Sequence, residues 1–193
     1  MATIVATESV SLDGVMQAPG RADEDERGGF AHGGWAAPFA SDDQMAIMGE
    51  GMAATTGMLF GRRTYDDLVG AWLAAPEPNP FGGFIRQTPK WVASRSDAPL
   101  AHPGSTLLHG EATLTVARLR SEADGTISIL CSGGLVRALH AVGLIDRFVL
   151  LVHPLTLGSG RRLFGEGERR DLELHRADTT STGVTILQLA LRR

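Results

Sequence analysis

Cysteine is nearly absent. Cys131 is the only one in 193 residues, so the chain can build neither an internal disulfide nor a zinc site made of cysteines. A reducing cytoplasm is the expected compartment. Lysine is as scarce, Lys90 being the only one among 18 basic residues. That bias, with the many Ala and Gly, reflects genome composition and says nothing about fold. No basic cluster accompanies the net charge of −4, which argues against a nucleic-acid groove or an anionic membrane surface as partner. No apolar run approaches the roughly 18 residues of a membrane span, and the N-terminus has neither the basic start nor the apolar stretch of a signal peptide. None of the six histidines has H-E-x-x-H spacing, and Ser132 lacks the G-x-S-x-G context of a hydrolase elbow. The acidic run 23–26 reads as a solvated face. No metal is expected.

What is present centres on residues 126–164. Ile127, Ile129, Leu130 and Cys131 form an apolar run too short for a helix, read as a strand buried on both faces and ended by Gly133 and Gly134. Leu135, Leu139 and Val142 then recur at helical spacing, Gly143 caps that helix, and 148–152 is a second strand. A helix between two buried strands implies a right-handed βαβ unit. At its glycines a ligand can approach the backbone beside the free N–H groups of a helix start, an anion site; a tight turn that needs glycine for sterics alone explains the same residues equally well.

The rest of the chain repeats this alternation. Residues 4–10 are the first strand, expected to be central, and 14–34 a long mobile loop. Ser41, Asp42 and Asp43 mark a helix start, with Met45, Met48 and Met52 as its core stripe. Residues 56–60 are a strand, Gly61 a turn, and Tyr65, Leu68, Val69 and Trp72 the buried face of a helix. Residues 76–83 read as an irregular loop, 91–93 and 106–108 as strands, and Val116, Leu119 and Ala123 as a helix face. Near the C-terminus 172–177 and 184–191 form a hairpin, an antiparallel edge on a parallel sheet. LGSG at 157–160 imitates a dinucleotide fingerprint, but no helix pattern follows it, which excludes that reading.

Six short motifs fall in one order on these elements: SLDG (11–14), LFGRRTYD (59–66), KWVASRS (90–96), SGG (132–134), GLID (143–146) and LGSGRRLF (157–164). Together they resemble the dihydrofolate reductase-like family, specifically stand-alone relatives of the reductase domain of the bifunctional riboflavin-pathway enzyme. The resemblance implies a single domain over 1–193, a three-layer α/β/α fold, NADPH as cofactor, a small-molecule substrate and a homodimer. By position, Gly61, Arg62, Arg63 and Thr64 match the phosphate-holding helix start, and Ser94, Arg95 and Ser96 the positions that meet the adenosine 2′-phosphate. Ser132, Gly133, Gly134, Leu135 and Val136 match those beside the pyrophosphate and nicotinamide. Arginines beside free N–H donors suit phosphate on physical grounds too, with plain surface charge as the lesser alternative for Arg62 and Arg63.

On the substrate side, Asp13 matches the acidic residue at the mouth of the site, and its Asp-Gly pair equally reads as a turn. Trp35 followed by Asp42 and Asp43 resembles the Trp and carboxylate of dihydrofolate reductases at wider spacing, where either Asp can also be a helix cap. His153 either faces the site or is a hydrogen-bonded structural histidine. The riboflavin enzyme's first-strand lysine and its deaminase pattern are absent, so its own activity is not implied. The expected protein is an NADPH-dependent reductase of a small heterocycle, imine or carbonyl, with Asp13 or Asp43 serving the proton. A non-catalytic, dimeric nucleotide-binding protein is the alternative.

Overall fold

The computed structural model describes residues 1–165, 167 and 169–192. Its strands are β1 (Thr3–Ser11), β2 (Gly57–Gly61), β3 (Lys90–Ser94), β4 (Ser105–His109), β5 (Thr126–Leu130), β6 (Arg147–His153), β7 (Leu172–Thr179) and β8 (Thr185–Leu191). They form one sheet in the order β4-β3-β2-β5-β1-β6-β8-β7. β3 pairs parallel with both β2 and β4, and β2 with β5. The C-terminal strands are antiparallel, β8 pairing with β6 on one side and β7 on the other. β1 sits between β5 and β6, as its low charge suggests. The helices are α1 (Asp42–Ala53), α2 (Arg62–Thr64), α3 (Gly70–Ala74), α4 (Pro80–Gln87), α5 (Ala112–Glu122) and α6 (Gly133–Ala141), with a π-helical stretch Tyr65–Val69 joining α2 to α3.

The chain divides into two compact units, one made of Met1–Val5 and Thr55–Ile145, the other of Ala6–Ala54 and Asp146–Arg193. In the first, Met58, Phe60, Tyr65, Val69, Ile85 and Val92 form a fully buried cluster beneath Trp72 and Phe81. Lys90 belongs to that interior. Its ammonium donates to the carbonyls of Ile85 at 2.7 Å and Thr88 at 2.9 Å, closing the end of α4, and burial pulls its pKa down.

In the second unit the segment after β1 is tied down rather than loose. Val15, Ala18, Phe30 and Trp35 are buried together, and the buried Gln17 holds the carbonyls of Asp25 and Arg27 and the amide of Arg161.

Several local expectations change. Residues 76–83 are not all loop, because the Asn79 side chain accepts from Gly82 N–H and starts α4 there. β5 is not buried on both faces: Ile127 and Ile129 are fully buried while Ser128 and Leu130 are half-buried. On α1 the packed residues are Ile47 and Met48, while Met45 is 63% exposed. Val142 lies outside α6 and is exposed, leaving Leu135, Val136 and Leu139 as its buried face. Gly143, two residues past the end of α6, takes the left-handed φ of 71° that turns the chain away from the helix.

Candidate functional site

In the first unit β3, β2 and β5 lie side by side and parallel, with Gly61 opposite Ala93 and Gly57 opposite Ile127. Their carboxyl ends therefore share one edge, the edge at which open α/β sheets bind ligands. Three segments meet in that row. Gly61 N–H donates to the Ser132 hydroxyl at 3.1 Å, which joins the end of β2 to the start of α6. The turn into α6 is made by Cys131 and Ser132, both left-handed at φ 55° and 64°, and not by the glycines. Such a conformation costs a non-glycine residue about 1–3 kcal/mol, and it concentrates at functional sites. Gly133 and Gly134 are instead the first helical residues. The amides of Leu135 and Val136 turn back onto the Ser132 carbonyl at 2.7 and 3.1 Å. A Cβ on Gly134 meets nothing within 4 Å, so packing does not demand glycine there and the approach to the helix start is open.

The third segment follows β3. The buried Ser94 hydroxyl accepts from Ser96 N–H and donates to its carbonyl, both at 3.0 Å, which turns the chain and leaves Arg95 exposed. Arg62 braces the same loop. Its Nε donates to both carboxylate oxygens of Asp66, and its Nη atoms donate to the carbonyls of Ala98 at 2.8 Å and Pro99 at 3.2 Å. Arg63 pairs with Asp67 at 3.5 Å on the solvent side. Arg62 thus shapes the row, and Arg95 is the guanidinium it presents to solvent.

The second unit holds the carboxylates. Asp13 accepts from the Ser11 hydroxyl at 2.6 Å, Leu157 N–H at 3.1 Å and Gly158 N–H at 2.9 Å. Those hydrogen bonds, led by Ser11, draw its pKa down to about 2. Asp43 accepts from Ser181 N–H at 2.6 Å and from its hydroxyl at 3.1 Å; hydrogen bonding, with Ser41 first, again brings the pKa to about 2. Both are anions at neutral pH. Asp42 is exposed in the first turn of α1. Trp35 is buried, its indole N–H donating to the Gln17 carbonyl at 2.7 Å. His153 is structural: its Nδ1 lies 3.0 Å from the Leu151 carbonyl and its ring packs edge-on against Trp35 and Phe39. Among the described residues no group of three or more His, Cys, Asp or Glu is arranged to hold a metal, and no helix is long and apolar enough to cross a membrane.

Sequence reasoning passed over Glu8 and Gln17. Both are polar residues inside runs read as strand or loop, and only their burial singles them out.

Residues 2–186 match the profile of the RibD C-terminal domain. The chain belongs to that family. It is a family of reductases with a dihydrofolate reductase-like fold, so the chain is an oxidoreductase in general class. A candidate riboflavin biosynthesis protein from Shewanella sp. PV-4 superposes with a TM-score of 0.69 over all of both chains at 19% identity. Dihydrofolate reductase from Enterococcus faecalis, complexed with NADP(H), superposes at 0.58, covering 99% of this chain and 97% of its own at 13% identity. In sequence, the uncharacterized protein YyaP of Bacillus subtilis (strain 168) is 25% identical over 132 residues, 66% of this chain and 69% of YyaP. At such identities the structural likeness speaks for the fold.

Proposed function

We propose that the chain is an NADPH-dependent reductase that transfers hydride to a small heterocycle, imine or carbonyl, as a single-domain, cytoplasmic homodimer. The observation that carries this reading is the open face at Gly134, at the start of the nine-residue helix α6. An anion is favoured there by the N–H groups and dipole of the helix. The residues fit a phosphorylated cofactor. Gly133 and Gly134 would hold its pyrophosphate, with Ser132, Leu135 and Val136 beside them. Gly61, Arg62, Arg63 and Thr64 would border it, and Arg95, between Ser94 and Ser96, would meet a 2′-phosphate. Once bound, NADPH supplies the hydride, and the protein supplies position and the path of the proton.

Because Asp13 and Asp43 are ionised, neither can give up a proton of its own at neutral pH. Their role in this reading is to hold the water that does, with Trp35 and Asp42 on the substrate side. The same ionisation is what favours the second reading, a nucleotide-binding dimer without turnover. Calorimetric titration with NADPH, followed by a substrate screen that monitors its oxidation, separates the two. Binding with oxidation supports the reductase and binding without it supports the alternative. A folded protein that binds no NADPH refutes both.

A further inference from the structure

The stretch 94–99 that follows β3 hangs on few hydrogen bonds. Ser94 and Ser96 bond to each other within it, and the Ser96 hydroxyl accepts from Ala98 N–H at 3.2 Å. Among the described residues, hydrogen bonds from outside reach its backbone at two places. At the near end Gly110 N–H donates to the Ser94 carbonyl at 2.9 Å, and His109 Nε2 lies 3.2 Å from the Arg95 carbonyl. At the far end the donor is Arg62, whose Nη1 and Nη2 hold the carbonyls of Ala98 and Pro99.

Arg62 is itself aimed. Its Nε donates to the two carboxylate oxygens of Asp66 at 3.0 and 2.8 Å. Asp66 belongs to the π-helical stretch Tyr65–Val69, which is anchored by the buried Tyr65, Leu68 and Val69. A carboxylate on a packed segment therefore orients a planar guanidinium, and the fork of that guanidinium spans two successive carbonyls. Asp66 also neutralises the charge. To meet a phosphate, Arg62 would have to let go of the loop, whereas Arg95 is exposed and has no such task.

We propose that Asp66 and Arg62 are positioning residues for cofactor selectivity: they brace the loop on which Arg95 would meet a 2′-phosphate, and so favour NADPH over NADH without touching either. The inference rests on the cofactor reading above. Its physical cause is preorganisation. An arginine on a loose loop has to be ordered as the ligand binds, and that ordering is subtracted from the affinity; a loop already braced loses less.

Arg62→Met keeps an unbranched stem and removes the fork. In the protein without cofactor, hydrogen exchange at the Ser96 and Ala98 amides should quicken by about tenfold while α5 keeps its protection. Calorimetry should show NADPH weakened by about fivefold, the size expected for loss of the Arg95 contact, and NADH held within about twofold. In an Arg95→Ala background Arg62→Met should weaken NADPH no further. Arg62→Lys keeps the charge without the fork and should bind NADPH as poorly as Arg62→Met. Unchanged exchange in Arg62→Met overturns the brace. Additive losses in the double variant, or full recovery in Arg62→Lys, would make Arg62 a direct phosphate contact and overturn it too. Should Arg62→Met not fold, unchanged exchange in Asp66→Ala overturns the brace as well. A wild type that binds neither cofactor overturns the selectivity together with the reading beneath it, and quickened exchange would then support the brace alone.

Discussion

The strand-end row of the first unit and the carboxylates of the second were both read as site residues, and they stand in opposite physical states. In the row, Gly134 adjoins open space and Arg95 is exposed, while the neighbours that shape the loop, Arg62, Ser94 and Ser132, are satisfied within the protein. Around Asp13 the donors are already inside the protein: Ser11, Leu157 and Gly158. The backbone beside it is zipped to the 155–163 segment through Leu12 to Leu155, Met16 to Arg161 and Leu163 to Gly14. A group with unused capacity can recognise a ligand, whereas one whose lone pairs are taken holds the fold and acts through what it orients. Glycine makes the contrast sharpest. Gly134 is free of its neighbours, and a Cβ on Gly160 would lie 2.6 Å from the Phe30 ring and 2.8 Å from Val15.

That pair gives the largest expected effect. Gly160→Val adds a branched side chain at φ 110°, against buried residues, and should destabilise the protein by about 2–4 kcal/mol. Gly134→Ala should change stability by less than about 1 kcal/mol. Urea denaturation of both variants checks this, and equal losses would erase the distinction between the two glycines.

Binding comes next. Gly134→Asp places a carboxylate where the proposal puts pyrophosphate, and should weaken NADPH by tenfold or more, about 1.4 kcal/mol, with melting temperature little altered. Calorimetry on the folded variant checks it; an unchanged Kd removes the row from cofactor binding. Arg95→Ala is the milder companion. Since Arg95 is exposed, its contact with a 2′-phosphate should be worth about 1 kcal/mol, lost for NADPH and not for NADH, and equal losses for both cofactors would take Arg95 out of that role.

The sequence made most elements legible because apolar spacing reports burial directly: β1, α5 and the β7–β8 hairpin follow from Ile4, Val116 and Ile186 lying where periodicity puts them. The order of motifs carried the family. What stayed hidden depends on partners distant in the chain. Asn79 starts a helix inside a proline-rich stretch because its side chain finds Gly82 N–H and the Trp72 carbonyl. The β5–α6 turn falls on Cys131 and Ser132 rather than on Gly133 because Ser132 must reach Gly61 N–H. SLDG and LGSG looked like separate signatures, yet Asp13 of one caps Leu157 and Gly158 of the other, a complementarity across 144 residues that spacing alone does not reveal.

The smallest effect decides what Asp13 is for. Its folded pKa of about 2 lies below the ordinary 3.8, so the folded state favours the anion. The resulting stabilisation is complete above about pH 4 and is lost as pH falls toward 2. Asp13→Asn cannot take part in that titration, and its amide nitrogen cannot accept from a backbone N–H. The variant should therefore melt slightly below the wild type at neutral pH, with the gap narrowing as acid is added. A gap that is constant with pH would mean that the carboxylate is not what the Leu157 and Gly158 amides hold. Turnover supplies the second arm. If Asp13 also orients the proton-bearing water, kcat with a substrate from the screen should fall by about 100-fold while the Kd for NADPH stays unchanged. If kcat survives, Asp13 is a clasp between two loops, and Asp43→Asn becomes the substitution that tests for a catalytic carboxylate in the second unit.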